Sequence, residues 1–356
     1  MMDRPGFVTG VALVANAVAR EIFKVDASPE AIEAVQAVVE QHDSKGWWGQ
    51  IVGADASGPG FDLSWCESSG NDWVDGYQEA LTALAAAIEA VPLEPNSIAV
   101  VGMLLDRREA DRRADYDELA GYLAALGLDF CGFFPAFDVV DSSQLKDIAP
   151  ASTIISLPYG RKAAHAISKK TGAKLIELDL PIGFAGTSDW ISEVALACGR
   201  QQAAEQLIKS KLGSAVPKLE WVVPFWLLHR RILLVGDVYK VKGWAEALHE
   251  FGCNVLGAIC TGGNPASAPD INWIDNIPDD LEVDLVIGSP VAEAKVLPFL
   301  EMGFPNFGEH FIYSRPELGF AGTLATVEAI INRLALTSVM RHWPGGRVKF
   351  DLRKDP

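Results

Sequence analysis

The chain has no run of eighteen or more apolar residues, no paired-cysteine spacing and no excess of basic charge, and each absence removes a class of function. Without a long apolar run a membrane-spanning helix is not expected. The stretch from Met1 to Val14 has a basic residue followed by a glycine-broken segment with no clean cleavage site, so the reading is a cytoplasmic soluble protein. The five cysteines, Cys66, Cys131, Cys198, Cys253 and Cys260, are scattered, which points to neither a disulfide framework nor a zinc site. Thirty Lys and Arg face 47 Asp and Glu, and the net charge of -17 argues against nucleic acid or anionic membrane as a partner. The phosphate loop Gly-x-x-x-x-Gly-Lys-Ser/Thr does not occur either, so nucleotide hydrolysis would belong to another protein.

What the sequence does have is length and apolar content: 356 residues, 49% hydrophobic, enough for two globular domains. Short apolar runs alternate with helical spacings. Val8 to Ala15 and Ile51 to Ala54 read as strands around a helix from Ser28 to His42. Asp55 to Asp72 reads as a long ordered loop rich in Gly, Ser and Asp. Helix Val74 to Val91, strand Ser97 to Leu104, helix Asp115 to Leu126, strand Asp129 to Phe134, helix Ser142 to Ile148, strand Thr153 to Ser156, helix Arg161 to Thr171 and strand Lys174 to Leu178 follow. The prolines between Ser214 and Pro224 mark a domain crossing. Strand Arg231 to Val235, helix Lys242 to Phe251, strand Asn254 to Cys260, strand Val283 to Ile287, helix Val291 to Met302 and a short strand Phe311 to Tyr313 then repeat the alternation. The expected class is α/β: two or three Rossmann-like parallel-sheet lobes around a cleft. Residues 1–95 would be a partial N-terminal lobe, 96–215 a central lobe, 216–340 a C-terminal lobe and 341–356 a tail.

One pentapeptide occurs twice. Gly-Phe-Ala-Gly-Thr stands at Gly183 to Thr187 and at Gly319 to Thr323, before helices expected at Ser188 to Lys211 and Leu324 to Leu336. In each copy two glycines (Gly183 and Gly186, Gly319 and Gly322) suit a sharp turn, and the threonine suits an N-cap. Open helix starts from two lobes facing one cleft would suit an anionic ligand or a negatively charged cofactor. Loop-to-helix punctuation is the plain alternative.

The order of signals from about Arg4 to Leu336 resembles the nitrogenase component 1 family, whose members include subunits of the molybdenum-iron protein, of its cofactor-maturation scaffold and of dark-operative protochlorophyllide reductase. The resemblance rests on Pro59-Gly60-Phe61, Gly70 with Gly76-Tyr77, Pro95-Asn96 before a strand ending at Gly102, Asp117-Glu118-Leu119 leading to Leu126-Gly127, and Ala151 in Ala-Pro-Ala-Ser. Further along it rests on Lys170-Thr171-Gly172, Pro181 with Gly183 and Thr187, Asp284 to Ser289, Gly303-Phe304-Pro305, and the second pentapeptide before Ile331-Asn332-Arg333. It implies an iron-sulfur cluster or related metallocofactor, supplied or shared by a partner subunit. The implied partners are a homologous component 1-type subunit or a second copy (a homo-oligomer), and an ATP-dependent iron-sulfur reductase as electron donor. Departures are as informative. Family members normally begin with a further cluster-holding domain, and this chain is read as starting after it. By register the family's ligand positions fall on Ala17, Ala164 and Leu318.

The residues left to carry chemistry each have a plain reading beside the functional one. Cys66 lies in the long loop and would be a cluster ligand or an ordinary thiol. His165 and His310 would be cofactor or substrate contacts, or exposed side chains; Glu309 beside His310 would suit proton transfer. Tyr159, Arg161 and Lys162 follow a strand at its carboxyl end, where ligands of parallel sheets bind. The segment Trp221 to Trp226 suits an inter-lobe core or an oligomer face better than a pigment platform. Three functions remain open: a nitrogenase-like oxidoreductase subunit with a cleft for a metallocofactor or tetrapyrrole-like substrate, a non-catalytic maturation scaffold or carrier, and a small-molecule clamp.

Overall fold

The computed structural model describes residues 73–107, 109–138, 143–278, 281–289, 298–304, 306 and 309–342. The elements expected before residue 73, the loop carrying Cys66, and residues 343–356 of the expected tail lie outside the described residues.

Two four-stranded parallel sheets form the described chain, and they share one topology. The first contains β1 (Glu94–Val101), β2 (Asp129–Phe134), β3 (Ala151–Ser156) and β4 (Lys174–Glu177) in the order β2-β1-β3-β4. The second contains β5 (Arg231–Asp237), β6 (Asn254–Gly262), β7 (Leu285–Gly288) and β8 (Phe299–Glu301) in the order β6-β5-β7-β8. In both lobes the chain starts at an inner strand, moves to one edge, and crosses back to build the other side. The central strands are unbroken apolar runs, Ile98 to Val101 and Ile232 to Val235, because a parallel strand covered by helices is buried on both faces. Alternation divides the second run. Ile232 and Leu234 join the main core, and Leu233 and Val235 join a small one with Val283 and Val286.

The helices are α1 (Trp73–Ala85), α2 (Ala110–Ala125), α3 (Ser143–Ile148), α4 (Arg161–Thr171), α5 (Phe184–Cys198), α6 (Gln201–Leu219), α7 (Val222–Trp226), α8 (Val238–Glu250) and α9 (Gly319–His342). The single helix expected from Ser188 to Lys211 is two helices, because Gly199 takes a left-handed conformation (φ 69°) and stops α5. The proline-marked crossing at Ser214 to Pro224 is helical, with Pro217 inside α6. Where a helix was expected to run on to Met302, residues Phe299–Glu301 instead pair with β7. Residues 311–313 form no strand. The main core runs without interruption from Trp73 through both lobes to Leu334.

Candidate functional site at the lobe junction

The helices begin at the first glycines, α5 one residue after Gly183 and α9 at Gly319 itself, so the threonines are not N-caps. Gly183 and Gly319 stand at the helix starts with φ of 79° and 77°, and Thr187 and Thr323 lie buried in the first turns. Their hydroxyls donate back to the carbonyls of Gly183 and Gly319, at 2.6 and 2.8 Å. The helix starts are occupied. At α5, Glu250 of the second lobe accepts from the amides of Phe184 (3.1 Å) and Ala185 (3.0 Å). At α9, Glu118 of the first lobe accepts from the amide of Ala321 (3.0 Å), and the Tyr122 hydroxyl oxygen accepts from that of Phe320 (2.8 Å). These carboxylates do what an anionic ligand would have done, satisfying free amides and opposing the helix dipole. The arrangement is reciprocal: α8, which follows β5, seats α5, and α2, which follows β1, seats α9.

The second glycines differ between the copies. A Cβ on Gly186 meets nothing, whereas one on Gly322 falls 2.4 Å from the Glu317 carbonyl carbon. Gly186→Ala is therefore expected to raise stability by up to about 1 kcal/mol through helix propensity. Gly322→Ala is expected to lower it, and paired thermal melts of the two variants read the opposite signs.

Next to the start of α9 lies a buried ionic cluster that joins the two lobes. Arg112 on α2 donates from Nε to Asp106 (2.7 Å), and from Nη1 to Asp115 (2.9 Å) and Glu317 (3.0 Å). Lys240 on α8 also binds Glu317, and Arg107 binds Asp111. Asp115 accepts through Oδ1 from the amides of Glu317 (2.7 Å) and Leu318 (2.8 Å), which fixes the segment leading into α9. Burial pushes the Asp115 carboxyl up to about 6, against the opposing pull of Arg112. Burial also works against Glu317, but Arg112 and Lys240 outweigh it and hold that carboxyl well below the usual range. Beside the cluster, the Tyr159 hydroxyl donates to Asp237 (2.8 Å), Trp73 stacks on Tyr159 and donates to the Thr261 carbonyl (2.9 Å), and Asp237 Oδ2 and Arg112 Nη2 are buried without a hydrogen-bond partner.

The pH response follows from the raised carboxyl. An acid whose folded value lies above its unfolded one contributes stability fully below the unfolded value, about 3.9 for Asp, and loses that contribution as pH rises through the folded value. Asp115→Asn removes that loss. Relative to the unsubstituted protein, the variant is expected to gain stability as pH rises from 4 to 6, measured by denaturant unfolding across that window.

The junction occupies the carboxyl ends of β1, β3 and β5, where parallel sheets bind ligands. Residues 63–335 match the nitrogenase component 1 type oxidoreductases. The chain belongs to this family. Among its relatives, the nitrogenase molybdenum-iron protein beta chain of Methanococcus maripaludis is 24% identical over 217 residues, covering 54% of this chain and 46% of that protein. The light-independent protochlorophyllide reductase subunit N of Prochlorococcus marinus is 27% identical over 175 residues, covering 48% of this chain and 36% of that one. The chain thus spans less than half the length of either relative. The solved structure of nitrogenase Cp1 at pH 6.5 has the same fold, with a TM-score of 0.63 at 18% identity over 86% of this chain and 74% of that one.

Family membership implies a metallocofactor, and the described residues do not fit one. Ala164 and Leu318, onto which the resemblance would place the family's ligands, are buried apolar residues. Cys131 is in β2, Cys198 ends α5, Cys253 lies in the turn before β6 and Cys260 is in β6, and no three His, Cys, Asp or Glu side chains among the described residues group to hold a metal ion. A cluster needs thiolates, whereas burial raises the Cys131 and Cys198 thiols and pushes Cys253 up to about 11.

The other sequence-selected residues are divided. Tyr159 is buried in the junction. Arg161 closes the end of the first sheet, donating to the carbonyls of Ser156 and Leu178, so its guanidinium is spent on backbone. Lys162 and His165 are exposed and pair with Glu79 and Glu177. His310 is exposed beside Glu109 (2.8 Å), and Glu309 pairs with Arg333 (3.0 Å) rather than with its neighbour. The structure therefore brings Tyr159 and the two glycine-threonine turns to one junction and leaves both histidines at its outside. Sequence reasoning missed Arg112, Asp115, Lys240, Asp237 and Glu317. A signal was there: Arg112 and Asp115 share a helical face with Tyr116, Leu119, Tyr122 and Leu123, and that face is buried.

Proposed function

We propose that this chain is a nitrogenase-like oxidoreductase subunit whose metal chemistry is carried outside the two described lobes, in a complex with a homologous component 1-type chain. The observation that supports this reading is the filled junction: where a doubly wound pair of lobes would take a ligand, paired side chains hold the lobes together. The chain's own residues then act as a rigid frame. An ATP-dependent iron-sulfur reductase would deliver electrons to the complex, and the relatives' names point to a metallocofactor or a tetrapyrrole as the reacting partner. A cytoplasmic setting suits such a complex, and no helix among the described residues is long and apolar enough to cross a membrane.

The absence of a metal-binding group among the described residues equally favours the scaffold or carrier reading, in which the complex matures a cofactor without turnover. Anaerobic purification of the chain alone, and co-expressed with a cluster-bearing component 1-type chain, separates these. Iron and sulfide found only in the complex, with electron transfer from a reduced iron-sulfur donor, supports the subunit reading. Precursor binding without turnover supports the carrier. Stoichiometric iron on the chain alone, lost in Cys66→Ala, overturns the frame role and makes Cys66 a ligand.

A further inference from the structure

Tyr159 stands among three other oxidisable rings, and its hydroxyl is bonded to a group that can take its proton. It packs against Trp73 (ring centroids 6.1 Å apart), Tyr77 (6.3 Å) and Tyr239 (5.4 Å). Trp73 and Tyr77 are buried with it, whereas Tyr239 is partly exposed and brings the group to the surface. What each polar atom touches separates these rings. Tyr77 donates to the Met103 carbonyl (2.7 Å) and Trp73 to that of Thr261, and a peptide carbonyl is too weak a base to keep a proton. Tyr159 donates instead to the carboxylate of Asp237, which is fully buried and has Oδ2 without a hydrogen-bond partner. A buried anion short of hydrogen bonds is a good proton acceptor, and burial raises this carboxyl against the pull of Lys240.

A phenol yields an electron readily near neutral pH only if its proton leaves in the same step, because the protonated radical is a very strong acid. Both exits are in place here. One electron leaves Tyr159 through Tyr239 to a one-electron oxidant of the oxyl-radical class, which is reduced by one electron. The proton passes along the existing hydrogen bond, so the phenol O–H breaks and an O–H forms on Asp237 Oδ1. A neutral phenoxyl radical then faces a neutral carboxyl, and the apolar surroundings favour the loss of a buried charge. Tyr122 provides the contrast. It too donates to a carboxylate, Glu118, but its ring contacts among the described residues are Phe320 (6.0 Å) and the ammonium of Lys211 (5.4 Å), which do not hand on an electron. We infer that Tyr159 and Asp237 form a proton-coupled redox site, reached from the surface through Tyr239, that takes up one-electron oxidising equivalents of the oxyl-radical class. This inference goes beyond the proposed subunit role and does not depend on it.

Flash photo-oxidation of the full chain with tris(bipyridine)ruthenium and persulfate, followed optically and by electron paramagnetic resonance, tests it. The unsubstituted protein is expected to give a tyrosyl radical that decays under ascorbate more slowly than that of an open ring such as Tyr313, 84% exposed. Its oxygen should accept a hydrogen bond from an exchangeable proton, now held by Asp237 and detected by electron-nuclear double resonance before and after transfer to deuterium oxide. Tyr159→Phe should abolish this slow component. Asp237→Asn keeps an N-cap for α8 but cannot take the proton, and should slow radical formation about a hundredfold. A slow component that survives Tyr159→Phe overturns the proposal, as does one formed at the parental rate in Asp237→Asn. The exchangeable proton is read on the unsubstituted protein alone. A slow radical without that proton, or no slow radical at all, overturns the proposal even if a variant fails to fold.

Discussion

Arg112→Ala is expected to lower stability by about 3–5 kcal/mol, because it removes the one guanidinium that Asp106, Asp115 and Glu317 share and leaves their charges buried without it. For a chain of this length that corresponds to a fall in melting temperature on the order of 10 °C, read by calorimetry or circular dichroism. Arg112→Lys should recover only part of the loss, since an ammonium cannot reproduce the fork that reaches carboxylates on two sides. The neighbouring Arg113→Ala provides the contrast. Arg113 pairs with Asp138 at an exposed site, and its loss should stay within about 1 kcal/mol. Equal melting of the Arg112 and Arg113 variants would show that the cluster does not hold the lobes.

Gly288→Ala is the second large effect. Gly288 ends β7 at φ 141°, and a Cβ there would fall 1.7 Å from the Val235 carbonyl oxygen of the adjacent strand. That oxygen already accepts from the amide of Ser289 (2.9 Å), so the backbone on both sides is committed and has no room to retreat. Loss of soluble expression, or destabilisation above about 4 kcal/mol, is expected. A variant melting within a few degrees of the parent would mean that β5 and β7 separate more readily than their pairing implies.

The layout of the sheets was legible in the sequence because it is written locally. Strand Asp129–Phe134 and helix Arg161–Thr171 coincide with their expected bounds, since each is a continuous pattern closed by its own turn residues. The repeat of Gly-Phe-Ala-Gly-Thr was legible too, but its role was not. Whether a helix start is open depends on what faces it: Glu250 lies 66 residues from Phe184, and Tyr122 lies 198 residues from Phe320. The ionic cluster was hidden for a related reason. Arg112 and Asp115 share the helical spacing of Tyr116 and Leu119, which marks their face as buried, but the groups that neutralise them, Glu317 and Lys240, arrive from the other lobe and leave no local signature.

The crossed seating of α5 on α8 and of α9 on α2 bears on how the protein is made. The first lobe's α2 face is covered by a helix that begins at Gly319, so a nascent chain leaving the ribosome exposes that face until α9 has been synthesised. Neither half is then a self-sufficient unit. A gene cut between β4 and β5 should give two insoluble products that become soluble only when produced together, each supplying the helix the other lacks.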